Sequence, residues 1–265
     1  MSERTSYVPG TPCWVDLGTP DVDRAAAFYS SLFGWEVPPA ENVENTGGYR
    51  RATKDGRDVV GMMPLMQEGQ PTTWTTYISV ADAAATADAV REAGGQVHAE
   101  PMDVMGLGKL AVFADPTGAV FGIWEPGTFP GAGVVNEPGA VGWNELETRD
   151  PAGAKAFYGA VLGWSAVDLD MGEMGTYVEW QVDGNRIGGM SDIGGRVPEE
   201  VPAHWLTYFG TENADGLAEK VEQGGGRIGF GPMDIPAGRF AVVQDPWGAV
   251  FAFMQPSEQT LADTP

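Results

Sequence analysis

Apolar and polar residues alternate from Pro12 to Gly18, which puts Trp14, Asp16 and Gly18 on one face of an opening strand. The period then lengthens. Ala25, Phe28, Tyr29 and Leu32 form one apolar stripe at helical spacing, predicting a helix over Val22–Leu32 with Asp21 as its N-cap and Gly34 as its stop. Three short strands are predicted next, at Trp35–Pro38, Gly48–Lys54 and Val59–Leu65, the last two joined by the hairpin dipeptide Asp55-Gly56. The same order then restarts. A strand at Trp74–Val80 precedes a helix at Ala83–Ala93 that Gly94-Gly95 ends, and strands follow near Gln96–Glu100, Leu110–Asp115 and Ala119–Glu125. The unit is βαβββ, used twice.

The whole pattern recurs after about 130 residues. Trp14-Val15-Asp16-Leu17 returns as Trp143-Asn144-Glu145-Leu146. DVDRAAAFYSSLFGW, from Asp21, returns as DPAGAKAFYGAVLGW, from Asp150. DPTGAVFGIWEP, from Asp115, matches DPWGAVFAFMQP, from Asp245, at seven of twelve positions. Such a period is too long for a solenoid and marks a duplicated domain. The segment from Gly127 to Ala140 is rich in Gly and Pro and nearly uncharged, as a linker would be. The expected division is 1–126, a linker at 127–140, 141–258, and a tail at 259–265.

Composition narrows the function. The chain has 265 residues, 43% of them apolar, enough for two buried cores. Fifteen basic against 37 acidic residues give a net charge of −22, so binding to nucleic acid or an anionic membrane surface is not expected. No apolar run is long enough to span a bilayer, and the first six residues lack the apolar stretch of a secretion signal; a cytoplasmic location is expected. The single cysteine, Cys13, excludes an intrachain disulfide, and with two histidines, His98 and His204, any metal site would lean on carboxylates. Gly106-Leu107-Gly108-Lys109 lacks P-loop spacing, and there is no Gly-x-Ser-x-Gly elbow.

The element order, the helix ends at Phe28-Tyr29…Gly34-Trp35 and Phe157-Tyr158…Gly163-Trp164, and the D-P-x-G-x-x-F-x-x-x-E strand from Asp115 to Glu125 resemble the vicinal-oxygen-chelate superfamily, which holds glyoxalase I, extradiol dioxygenases and bleomycin-resistance proteins. The likeness covers about residues 10–126 and 139–256. It implies an α+β fold of two tandem domains, each made of two βαβββ modules that form a half-open barrel around a cavity. Metal enzymes of the superfamily carry His or Glu on the first and last strands of each module. The matching positions here hold Trp14, Thr75, Met62-Met63 and Glu125 in the first domain. In the second they hold Trp143, Leu206, Gly188-Gly189-Met190 and Gln255, with His204 two residues before Leu206. The resemblance therefore implies cups without the divalent metal, and no cofactor is expected.

The opening strands of the two modules are neighbours in such a domain, so Asp16 is expected to meet Tyr77, and Glu145 to meet Tyr208. Each pair reads either as a proton-handling device or as a structural hydrogen bond kept through duplication. Glu125 follows Phe121 and Ile123 in the strand alternation and reads as a lone cavity acid or as a solvated strand end. Trp14, Met63, Trp74, Thr75 and Phe113 are the expected ligand-binding walls of the first cup; Trp143, His204, Trp205, Phe253 and Gln255 are those of the second. The expected function is binding of a small, partly aromatic organic molecule by a monomer or homodimer. One alternative is a metal-independent enzyme of secondary metabolism using a carboxylate–tyrosine pair. Another is a metal-dependent lyase or dioxygenase.

Overall fold

The computed structural model describes residues 4–172, 175–258 and 260. The first module holds strand β1 (Pro12–Thr19), helix α1 (Val22–Phe33), one turn of helix α2 (Val43–Thr46) and the hairpin β2 (Arg50–Lys54) and β3 (Arg57–Pro64). The second holds β4 (Thr73–Ser79), α3 (Ala83–Glu92), β5 (Gln96–Asp103), β6 (Gly108–Ala114) and β7 (Val120–Pro126). Asp21 caps α1 by accepting from the Arg24 amide, and Gly34 ends it in the left-handed region at φ 72°. The β2–β3 turn places Asp55 and Gly56 both at positive φ, as a tight hairpin matched to strand twist requires.

The two modules of the domain join through antiparallel pairing of β1 with β4, Trp14 opposite Tyr77 and Asp16 opposite Thr75. With β3 parallel to β1 and β7 parallel to β4, the order is β2-β3-β1-β4-β7-β6-β5. This is an open sheet, not a closed barrel. The predicted strand at Trp35–Pro38 shrinks to one bridge, Glu36 with Thr53. Pro38 and Pro39 have no amide hydrogens for a ladder, and the Trp35 indole is drawn away to the Gly139 carbonyl at 2.6 Å.

The second domain repeats this plan with β8 (Val141–Thr148), α4 (Pro151–Leu162), β9 (Ser165–Asp170), β10 (Thr176–Val182), β11 (Asn185–Asp192), β12 (His204–Gly210), α5 (Ala214–Gln223), β13 (Arg227–Ile235), β14 (Gly238–Gln244) and β15 (Val250–Pro256). Here the stretch after the helix, free of proline, forms the full edge strand β9. The sheet order is β13-β14-β15-β12-β8-β11-β10-β9. The expected tail at 259–265 lies outside the described residues except for Thr260.

The apolar cores cross between domains. One cluster joins Phe28, Tyr29, Leu32 and Trp74 of the first domain to Phe209, Leu217, Val221, Phe251 and Phe253 of the second. Its counterpart joins Val90, Phe113 and Phe121 to Phe157, Tyr158, Trp180 and Trp205. Strands tie modules together within a domain; helices and the convex sheet faces tie the domains to each other. Burying a large apolar side chain contributes about 2 kcal/mol, so these clusters hold the two domains as one body. The concave faces are left for the cups.

Candidate functional site in two duplicated cups

Alternation along β1 sends Trp14, Asp16 and Gly18 to the concave face and Val15 and Leu17 to the core. Asp16 is 5% exposed, and the phenols of Tyr77 and Tyr49 stand by its carboxyl. The Trp14 indole N–H donates to the Tyr49 oxygen at 2.7 Å. Burial pushes the Asp16 carboxyl from 3.8 up to about 7, against the opposing pull of the two phenol donors. Burial and the Asp16 charge raise both phenols far above their usual range, so they remain donors. The expected Asp16–Tyr77 meeting is thus present, with a third member, Tyr49.

The second cup repeats the arrangement. The Trp143 indole N–H donates to Tyr177 Oη at 2.8 Å, and Tyr177 donates to Glu145 Oε2 at 2.8 Å. Ser191 Oγ donates to Glu145 Oε1 at 3.0 Å, and the Tyr208 phenol stands by the same carboxyl. Two residues have no counterpart in the first cup: Ser191 stands where Met63 does, and Glu147 where Gly18 does. Glu147 lies half-buried on the same face, close to Glu145. Burial, then the Glu145 charge, raises the Glu147 carboxyl well above the usual carboxylate range, while Arg196 pulls the other way.

Both tyrosines that sequence reading missed sit twelve residues before a glycine on the neighbouring strand. Tyr49 lies against Gly61 and Tyr177 against Gly189; a Cβ on either glycine would land on the phenol oxygen. These glycines pair with Asp16 and Glu145 in the parallel ladders. The signal was present as G-x-Y…D-G…G-M in both repeats. Glu147 follows the repeated Trp-x-acid-Leu string but breaks the repeat, so comparison of the copies passed over it.

Other expected site residues fall elsewhere. Trp74 and Trp205 are 3% and 5% exposed and face the inter-domain core, where their indoles donate to Tyr29 and Tyr158 at 3.1 and 3.0 Å. Phe113 and Phe253 are fully buried in the same cores. The strand registers give the reason: on β4 and β12 the cup face carries Thr75 and Tyr77, or His204, Leu206 and Tyr208, so their immediate neighbours point the other way. Glu125 is no lone cavity acid. Its Oε2 accepts from the first amide of α3, Ala83, at 2.8 Å, and its Oε1 pairs with Lys109 at 2.7 Å. The Ala83 amide and then Lys109 hold its carboxyl below the usual range. Gln255 does the same at α5, accepting from Ala214 at 3.1 Å. Thr75 and Met63 do line the first cup, and His204 the second. His204 Nδ1 donates to the Pro202 carbonyl at 2.9 Å, and burial lowers its pKa, favouring the neutral ring.

The donor sets do not fit a resident divalent metal. The first floor offers one carboxylate, Asp16, held between two phenols. In the second, both Glu145 oxygens already accept hydrogen bonds, from Tyr177 and Ser191. Among the described residues no three His, Cys, Asp or Glu side chains gather as a metal site. No helix of the described residues is long and apolar enough to cross a membrane.

Two open mixed sheets, each carrying the duplicated module and a concave floor, define a tandem vicinal-oxygen-chelate fold. The chain belongs to the glyoxalase/bleomycin resistance protein/dioxygenase superfamily, whose family model matches residues 13–123 and 140–253. It is 39% identical to CFP32 of Mycobacterium tuberculosis, a protein with glyoxylase in its name, over 98% of this chain and 100% of that one. It is 37% identical to the anthracycline biosynthesis protein DnrV of Streptomyces peucetius, over 95% of both chains. Among solved structures, a Mn(II)-bound glyoxalase from Novosphingobium aromaticivorans superimposes with a TM-score of 0.63 at 18% identity, over 93% of this chain and 82% of that one. The 2,3-dioxygenase LapB from Pseudomonas sp. KL28 gives 0.62 at 14% identity, over 94% of each chain. At those identities the structural likeness speaks to fold alone.

Proposed function

We propose that this protein binds a small, planar, at least partly aromatic organic molecule in a sheet cup, without a resident metal. The carrying observation is the repeated Trp–Tyr–carboxyl–Tyr constellation at the cup floors, Trp14–Tyr49–Asp16–Tyr77 and Trp143–Tyr177–Glu145–Tyr208. A flat indole gives such a ligand a stacking surface, and a few buried polar groups fix its orientation. DnrV supports the ligand class: its name places it in anthracycline biosynthesis, and anthracyclines are planar fused-ring molecules. The test is native mass spectrometry of freshly purified full-length chain, followed by titration with a planar aromatic probe. Retained organic mass or saturable binding is expected. A stoichiometric bound metal, or no binding of any planar probe, overturns the reading.

A second reading, a metal-independent acid–base enzyme, is favoured by the Asp16 carboxyl, pushed up to about 7, where a group can both take and give a proton at neutral pH. It requires that Asp16→Asn or Glu145→Gln abolish turnover while leaving the fold intact. Full activity in both variants would remove it.

A further inference from the structure

The second cup is two-sided. One half of its sheet, β13-β14-β15-β12, turns aromatic rings to the cavity. The Phe240 centroid lies 6.4 Å from that of Tyr208, and the Phe230 centroid 5.8 Å from that of Phe240. Phe230 is 53% exposed, so this row of rings runs from a buried phenol to open apolar surface. Phe240 stands opposite Met254 and Phe230 opposite Val242; the same registers in the first cup hold Leu110, opposite Trp124, and Ala99, opposite Val112. The ring wall is therefore a property of the second copy.

The other half, β8-β11-β10, turns carboxyl groups to the same cavity: Glu145, Glu147 and Glu179. Glu145, Gly189 and Glu179 form one row across three strands. The equivalent row of the first cup is Asp16, Gly61 and Arg51. The partner of the outer residue is reversed too. Arg51 pairs with Asp58 at 3.1 Å, whereas Glu179, its side chain 13% exposed, has Arg186 at 3.8 Å. The basic groups on this wall are Arg186 and Arg196, which act on Glu179 and Glu147. Both oxygens of the floor acid Glu145 are held by neutral hydroxyls, those of Tyr177 and Ser191. Three carboxyl groups thus face two guanidinium groups, in a chain of net charge −22. A protonated amine is favoured on both sides of such a cup, by the carboxylates and by the negative faces of the rings. An anionic group meets like charge.

We infer that the second cup takes a planar ligand bearing a cationic amine, its rings along Tyr208, Phe240 and Phe230 and its amine toward Glu147 and Glu179, and that Arg51 disfavours the same ligand in the first cup. This rests on the planar-ligand reading above and adds the cup, the ring wall and the charge.

The full-length chain is titrated by fluorescence, near neutral pH, with three probes of similar width: 9-aminoacridine, a cation; acridine, which is neutral; and anthracene-9-carboxylate, an anion. The wild type is expected to bind the cation about tenfold or more tightly than either of the others. Glu147→Gln and Glu179→Gln should each lose about threefold or more of that preference, and Glu179→Arg combined with Arg186→Asp, which copies the first cup, should abolish it. Phe230→Ala, at an exposed position, should weaken all three probes by a similar factor of about three, because it removes stacking surface and no charge. Thermal unfolding checks that each variant is folded. Equal affinity for the three probes, preference for the anion, a cation preference unchanged in both Glu147→Gln and Glu179→Gln, or wild-type binding of all three by Phe230→Ala overturns the assignment while leaving the planar-ligand reading standing. Binding of none of the three probes overturns that reading and this one together.

Discussion

Tyr29 donates a hydrogen bond to Asp245 at 3.0 Å, across 216 residues and the boundary between domains. The duplication gives the same bond again, Tyr158 to Asp115 at 3.1 Å. Each aspartate uses its other oxygen to fix its own turn: Asp115 Oδ1 accepts from the Thr117 and Ala119 amides, and Asp245 Oδ1 from the Trp247 and Ala249 amides. The tryptophan ending each helix motif also reaches outside its own domain, Trp35 to the Gly139 carbonyl of the inter-domain segment and Trp164 to that of Gly10 in the first domain at 2.7 Å. The most recognisable repeated motifs of the chain are thus the lock between domains, facing away from the cups.

If that lock contributes as buried hydrogen bonds do, Tyr29→Phe and Asp245→Asn should each destabilise the protein by about 1–3 kcal/mol. Their double variant should cost less than the sum, because one bond is being removed twice. Urea unfolding of the four proteins measures this. Strict additivity would mean the contact carries no coupling. Tyr29→Phe combined with the distant Tyr158→Phe should, by contrast, be additive.

Asp16 makes stability depend on pH in a defined direction. Its folded pKa of about 7 lies above the ordinary 3.8, so below pH 4 both folded and unfolded states are protonated and its contribution is fully present. As pH rises toward 7 the unfolded chain releases the proton first, and stability is lost until the folded group titrates. Tyr49 and Tyr77, which face it, stay neutral throughout. Between pH 5 and pH 8 the wild type should lose on the order of 2 kcal/mol more than Asp16→Asn. Parallel pH profiles for the two proteins would refute the buried-acid description.

Gly61 and Gly189 leave room for the phenols that touch the cup acids. Gly189→Ala should destabilise by about 1–3 kcal/mol through overpacking. Adding Tyr177→Ala removes the ring that the new methyl strikes, so the double variant should cost less than the sum of the two single variants. Thermal unfolding of the single and double variants reads this out, and a double variant at the sum of the singles would contradict the contact.

Glu125 caps a helix and should behave accordingly. Glu125→Ala should cost about 1 kcal/mol, typical of a lost cap. Glu125→Gln, which copies Gln255 of the second domain, should stay within about 0.5 kcal/mol of wild type, since the pair it gives up with Lys109 is exposed. Neither should alter binding of a planar probe more than twofold by fluorescence titration. A large loss of binding in Glu125→Gln would return this residue to the site.

The chain's own pattern determined much of this: the switch between two-residue and helical periods, the Asp55-Gly56 turn, the caps, and the duplication are local or repeat signals that need no partner to be read. It also put Asp16 beside Tyr77 and Glu145 beside Tyr208, because alternation and a duplicated plan fix which residues share a strand face. Tertiary structure decided which face was the cup. Trp74, Phe113, Trp205 and Phe253 are aromatic strand residues like Trp14 and Trp143, and a single chain's pattern cannot tell a wall facing a cavity from one facing another domain when both faces are apolar. Tyr49 and Tyr177 joined the acids only because glycines on the adjacent strand yield their Cβ space to the phenols.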